Sequence, residues 1–274
     1  MTGPGAPRTF RAGQGTPLVL LHPLFGSWRT WRPVLGPLTA HHEVFAPTLA
    51  GHRGGPELPP GPAPLSVFVD HVERDLDAEG LDTVHAAGNS LGGRVALELA
   101  RRGRARSVTA FSPGCARRTW PDGVWLLVAL GLLRASLALD QVLPVRKHPA
   151  WPRRLLMEHG ERLSPDERTE ALDDMRGCHA LRRIVQAGRV EPRMSPLPPG
   201  RCPVRIAWGS RDRLTPYTWV EKPRRALLSD AEIIVLTQLG HTPMWDDPCL
   251  VASTIRSLTK AVDAGGAGKP QASH

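Results

Sequence analysis

A mostly parallel α/β sheet with helices on both faces, interrupted by an all-helical insertion, is the fold that the 274-residue sequence predicts. Three observations carry this. Short apolar runs alternate with helical stretches, as expected for strands buried on both faces in βαβ units. The alternation stops at about Gly114 and resumes after Val190, leaving roughly 75 residues of helical pattern without a convincing strand. Finally, 41% hydrophobic and 22% charged residues describe a globular chain able to bury one large core.

The elements follow in order. Leu18 to Leu21 is a continuous apolar run closed by His22-Pro23, and Val44 to Pro47 is a second strand. A Gly- and Pro-rich loop runs from Gly51 to Pro64. Ser66 then reads as the N-cap of an amphipathic helix to about Glu79, with Val67, Val69, Val72 and Leu76 on its apolar side. Thr83 to Ala87 reads as a strand, Leu91 to Arg102 as a helix and Ser107 to Phe111 as a strand. Beyond the insertion, Val204 to Trp208 and Glu232 to Leu236 are strands, and a last helix spans about Pro248 to Val262. The expected organisation is a core over 1–113, the insertion over 114–190, the rest of the core over 191–263 and a disordered tail over 264–274.

Charge and cysteine usage narrow the function classes. The net charge is +9, but only four of the 35 basic residues are lysines and the arginines are scattered. The densest run, Arg101, Arg102, Arg104 and Arg106, ends a predicted helix, where cations complement the helix dipole. With 5% aromatics and no recognition motif, a nucleic-acid partner is not expected. Cys115, Cys178, Cys202 and Cys249 stand far apart, as free thiols in a reducing cytoplasm would. The start of the chain has no basic segment followed by an apolar run, so no signal peptide is expected. Gly123 to Leu139 is apolar but short for a membrane span and carries Arg134, so stable membrane insertion is not expected. A cytoplasmic location follows.

The chemistry is concentrated in three segments. Gly88-Asn89-Ser90-Leu91-Gly92 is a G-x-S-x-G between a predicted strand and a predicted helix, a context that lifts a serine hydroxyl above the carboxyl edge of a sheet. A serine is a weak nucleophile at neutral pH and needs a base, itself oriented by an acid. His241, in Gly240-His241-Thr242-Pro243, follows the last predicted strand, and Asp212, in Trp208-Gly209-Ser210-Arg211-Asp212, follows the one before. The order Ser90, Asp212, His241 differs from the chymotrypsin and subtilisin orders. His22, His52 and His85 read as structural or loop residues. No metal-ligand spacing and no phosphate-binding G-x-x-x-x-G-K-[ST] loop is present, so neither metal nor nucleotide cofactor is expected.

With these motifs in place, the chain resembles the α/β-hydrolase-fold serine hydrolases, the esterase- and lipase-like superfamily with a helical cap, over nearly its whole length. His22-Pro23-Leu24-Phe25-Gly26 is similar to the oxyanion loop H-G-x-x-G, and Gly51-His52-Arg53-Gly54 to the G-H-G turn. The resemblance implies that the insertion is a cap over the active site. Trp125 to Leu133, apolar all round, would then help line a pocket for an apolar group. Three departures stand out. Pro23 replaces a glycine and has no N–H, so the implied oxyanion donors are the backbone N–H groups of Leu24 and Leu91. Thr48 stands where the family often has aspartate. The segment before Leu18 is too short for the usual first hairpin, so about six or seven strands are expected instead of eight.

The implied activity is cofactor-free hydrolysis of a carboxylic ester, lactone or thioester of a hydrophobic small molecule through an acyl-enzyme. Ser90 separates the chain from haloalkane dehalogenases and epoxide hydrolases of this fold, which carry aspartate at that position, and neither reaction is expected. The Gly-Asn-Ser elbow is similar to that of hydrolases that cleave carbon–carbon bonds in ring-fission products, although their Gly-rich oxyanion segment is not matched. That reaction is the first alternative. A non-hydrolytic cyclase or lyase of secondary metabolism and a binding protein with an idle triad are the others.

Overall fold

The fold is described for residues 8–113, 128–133, 135, 154–187, 196–198, 200–218 and 230–266 of a computed structural model. Cys115, the apolar residues Trp125 to Leu127 and the tail beyond residue 266 lie outside the described residues.

Seven strands form one sheet: β1 (Thr9–Ala12), β2 (Thr16–Leu21), β3 (His42–Pro47), β4 (Val84–Asn89), β5 (Ala105–Phe111), β6 (Val204–Gly209) and β7 (Glu232–Leu236). Their spatial order is β1-β3-β2-β4-β5-β6-β7. All neighbours pair in parallel except β1, which runs antiparallel to β3. Seven strands agree with the six or seven expected, and the N-terminal segment supplies one of them as an edge strand that joins β3 and not its sequence neighbour β2.

Alternation along β2 sends Leu18 and Leu20 to one face and Val19 and Leu21 to the other. The first face is covered by α1 (Arg32–Thr39) and the long C-terminal helix α6 (Pro248–Gly266), packing Trp31, Leu38, Met244 and Ile255 on the sheet. The second is covered by α2 (Leu65–Ala78) and α3 (Leu91–Arg102), through Phe68, Val72, Val95 and Leu99. The insertion contributes α4 (Pro165–Arg176) and α5 (Ala180–Ala187). A capping box of Ser164 and Glu167 starts α4.

Three sequence expectations shift. Ser66 lies inside the first turn of α2, because the extended Pro64 precedes the helix and its carbonyl accepts from the Val67 N–H. The buried face uses Phe68 in place of Val67. Ala264 to Gly266 continue α6 and are not tail. Helix α1 was not expected at all, since Pro33, Gly36 and Pro37 mask its apolar face.

Candidate active site

The chain leaves β2 in one direction to reach β3 and returns to the other side of β2 to make β4. This switch in strand order opens a crevice at the carboxyl ends of β2 and β4, where open α/β sheets bind ligands. Among the described residues, four non-glycine residues have positive φ: Phe25 (71°), Ser90 (53°), Ser112 (42°) and Gln238 (64°). They follow β2, β4, β5 and β7, all at this edge. Such conformations cost about 1–3 kcal/mol each and cluster where function requires them.

Ser90 stands between β4 and α3 with ψ −110°, and its N–H donates to the Phe111 carbonyl (2.9 Å). Both elbow glycines are dictated by space. A Cβ on Gly88 would meet the Gly92 carbonyl oxygen at 2.2 Å, and one on Gly92 would meet the Leu21 carbonyl oxygen at 2.0 Å. The second contact is with the end of β2, so Gly92 fits the elbow against the neighbouring loop, His22 to Gly26. In that loop Gly26 N–H donates to the Pro23 carbonyl (3.0 Å), closing a turn over Leu24 and Phe25. Leu91 is the first residue of α3, whose N–H has no acceptor within the helix. His22 fastens the loop: its Nε2 accepts from the Leu49 N–H (2.8 Å), which leaves Nδ1–H to donate to the Pro23 carbonyl (2.8 Å). Burial, reinforced by His52, holds the His22 pKa well below the usual histidine value and the ring neutral. His52, edge-on to His22, is lowered by burial to about 4.

The loops after β6 and β7 are laced together. Ser210 N–H donates to the Leu236 carbonyl and Arg211 N–H to the Leu239 carbonyl (both 2.9 Å). A Cβ on Gly209 would meet the Gly240 carbonyl oxygen at 2.2 Å. This close approach sets His241 Nδ1 2.8 Å from Asp212 Oδ2, with the two side chains 2% and 0% exposed. Asp212 Oδ1 also accepts from the N–H groups of Leu214 (3.0 Å) and Thr215 (2.8 Å), and Oδ2 accepts from the Thr215 hydroxyl (2.9 Å). A carboxylate so engaged favours the proton on Nδ1 and leaves the Nε2 lone pair free. Nε2 is buried and makes no hydrogen bond among the described residues, so the Ser90 hydroxyl is not bonded to it. The elbow and the histidine loop are nevertheless tied, because Asn89 Nδ2 donates to the His241 carbonyl (2.8 Å).

Asn89 and the acids below have no sequence signal, because partners of each are remote along the chain. Asp174 on α4 is buried and accepts from the Ser27 hydroxyl, while Arg29 lies 3.2 Å and Arg53 3.9 Å from it. Burial raises its pKa, against the pull of Ser27 and Arg29. Among the described residues, no three His, Cys, Asp or Glu side chains could hold a metal ion, and no helix is long and apolar enough to cross a membrane.

A seven-stranded, mostly parallel sheet with a strained serine turn at its carboxyl edge defines the α/β-hydrolase class of enzyme. The sequence profile of the alpha/beta hydrolase family matches residues 18–254, and the chain belongs to that family. It is similar to the epoxide hydrolase EphH of Mycobacterium tuberculosis, 33% identical over 200 residues, which cover 70% of this chain and 94% of that one. It is also similar to the 2-hydroxy-6-oxo-6-phenylhexa-2,4-dienoate hydrolase of Burkholderia cepacia, 26% identical over 86% of this chain and 84% of that one. The crystal structure of a membrane phospholipase A, described as a bacterial virulence factor, superposes with a TM-score of 0.74 at 20% identity, over 93% of this chain and 82% of that one. At that identity the superposition speaks for the fold alone.

Proposed function

We propose that this hydrolase cleaves a carboxylic ester, or a lactone or thioester, of a hydrophobic small molecule, with Ser90, His241 and Asp212 as its triad. The observation that carries the reading is the buried Asp212–His241 pair at 2.8 Å, whose outward nitrogen Nε2 is desolvated and unpartnered beside the serine elbow. Catalytic hydrogen bonds from serine to histidine are often long without substrate and tighten when it binds.

In this reading the Ser90 oxygen attacks the ester carbonyl while Nε2 takes the hydroxyl proton. The oxyanion of the tetrahedral intermediate accepts from the N–H groups of Leu24 and Leu91. Collapse breaks the bond to the leaving alcohol, which receives the proton from His241, and Ser90 is left acylated. Water then attacks the acyl-enzyme, losing a proton to Nε2, and a second collapse releases the acid and returns the proton to Ser90. Asp212 holds the Nδ1–H tautomer and stabilises the imidazolium.

The serine argues against epoxide opening, the activity named for the mycobacterial relative. Attack of a carboxylate on an epoxide gives an ester that water can hydrolyse, whereas attack by serine gives an ether that it cannot. A second reading has its own support. The dienoate named for the Burkholderia relative contains a ketone and a carboxylate but no ester, so its hydrolysis must break a carbon–carbon bond.

Hydrolysis of p-nitrophenyl esters from acetate to laurate, by wild type and Ser90→Ala, tests the proposal. Turnover by the wild type alone supports it. Turnover of styrene oxide, or of a ring-fission dienoate but of no ester, would replace it.

A further inference from the structure

We propose that Asp246 is a positioning residue for His241, and that it works by tying the histidine loop to Leu156–His159, a segment between β5 and β6. This rests on the reading of His241 as the base.

Asp246 is fully buried. Its Oδ2 accepts from the N–H groups of Gly240 (2.7 Å) and Glu158 (3.2 Å), and its Oδ1 from that of His159 (2.7 Å). The Arg162 guanidinium donates to its backbone carbonyl. On the other side of the histidine, the Thr242 N–H and hydroxyl both donate to the Leu156 carbonyl, each at 2.7 Å. Both chain neighbours of His241 are thus anchored to one short segment. The packing is tight there as well, for a Cβ on Gly240 would lie 2.9 Å from Met157 Cα. Glu158 of the same segment pairs with Arg213, the residue after Asp212.

A buried carboxylate is costly unless its lone pairs are used, and this one spends them on three backbone donors from two irregular segments. It replaces the ladder that strand pairing would have supplied. Because Nδ1 must stay within hydrogen-bond reach of Asp212, a small displacement of Gly240 moves the imidazole off its acid. Asp246 therefore couples the placement of this segment to the aim of the base, beside the Thr242 anchors.

The test reads the low-field proton resonance of the His241 Nδ1–H, assigned by its loss in His241→Gln, together with ester kinetics. Asp246→Ala, folded by near-UV circular dichroism, should broaden or lose the resonance and lower kcat by about 100-fold, the scale of a 1 Å misplacement. KM should change much less. Asp246→Asn, whose carbonyl can take both Oδ2 contacts, should recover the resonance and most of kcat. A normal resonance and kcat in Asp246→Ala, an effect confined to KM, or equal damage by Asn and Ala would overturn the proposal. If Asp246→Ala does not fold, amide exchange in the wild type decides. Gly240, Glu158 and His159 should be protected together, and an unprotected Gly240 amide would overturn it. Neither the resonance nor the exchange needs a substrate, so both remain decisive even if no ester is hydrolysed.

Discussion

The backbone at Ser90, held at φ 53° where only glycine sits without strain, is maintained by its N–H bond to Phe111 and by the two glycines that let the elbow close. Fixed strain at the proposed nucleophile is consistent with a triad acting as a unit, and the proposed mechanism makes that quantitative. Ser90→Ala and His241→Ala should each lower kcat by roughly 10⁴- to 10⁶-fold, and the double variant should be little worse. Additive losses in steady-state kinetics would contradict the assignment. Asp212→Asn should cost about 10⁴-fold, because an amide toward Nδ1 favours the wrong tautomer. Leu24→Ala should leave kcat close to wild type, since its proposed contribution is a backbone N–H. These residues were legible in the sequence because each follows an apolar run and is bracketed by glycine or proline. Asn89 and Asp246 were not, because each is defined by a partner on another loop; the Asn89 contact with His241 spans 152 residues.

The same distinction holds for elements. The central strands are buried on both faces; β2 shows this as the unbroken apolar run Leu18 to Leu21, while β4 and β5 bury His85, Ser107 and Thr109 among their apolar residues. The edge strand β1, Thr9-Phe10-Arg11-Ala12, has no such run and pairs across the sheet with β3, while α1 is disguised by its prolines. What a glycine contributes depends on what its Cβ would meet. Gly92→Ala drives a methyl into the Leu21 carbonyl, backbone against backbone, and should destabilise by about 3 kcal/mol in urea unfolding. Gly265→Ala in α6, with nothing within 4 Å of the new methyl, should gain about 0.5 kcal/mol. Equal effects would show that helix propensity, and not the close approach, governs both sites. The helical insertion is bound to the core by charge as well as packing, through Asp174 against Ser27, Arg29 and Arg53 and through Arg32 with Glu170. Asp174→Ala leaves Arg29 half-buried without its acid and should destabilise by about 3 kcal/mol. Hydrogen exchange should register the loss in α4 while the central strands keep their protection; uniform loss across both would refute a local fastening.

Across the whole molecule, the arginines of the densest run are engaged in ion pairs, within α3 for Arg101 and between elements for the others. Arg101 pairs with Glu98, Arg102 with Asp70 and Glu73, Arg104 with Asp77, and Arg106 with Asp263. The run that the sequence assigns to one helix dipole therefore also joins α3 to α2 and β5 to α6. Such half-exposed pairs are individually worth less than about 1 kcal/mol, so the pH dependence of stability should be governed by the buried imidazoles. His52 is lowered to about 4, and His22, His42 and His85 are lowered as well, each chiefly by burial. In the unfolded chain histidine titrates near 6.5. As pH falls below that value the unfolded state takes up protons that the folded state refuses, so stability must decrease, and for His52 the decrease ends only near pH 4. His52 alone should account for a loss of about 2 kcal/mol between pH 7.5 and pH 5. Asp174, with its raised pKa, acts in the opposite sense but is common to wild type and variant. Urea unfolding of wild type and His52→Asn at the two pH values isolates the term. The variant should lose about 2 kcal/mol less than wild type between them, whatever its absolute stability. An identical pH slope in the two proteins would mean that His52 is solvated enough in the folded state to accept its proton, and that the seam between the His22–Gly26 loop and the Gly51–Gly54 turn is open to water.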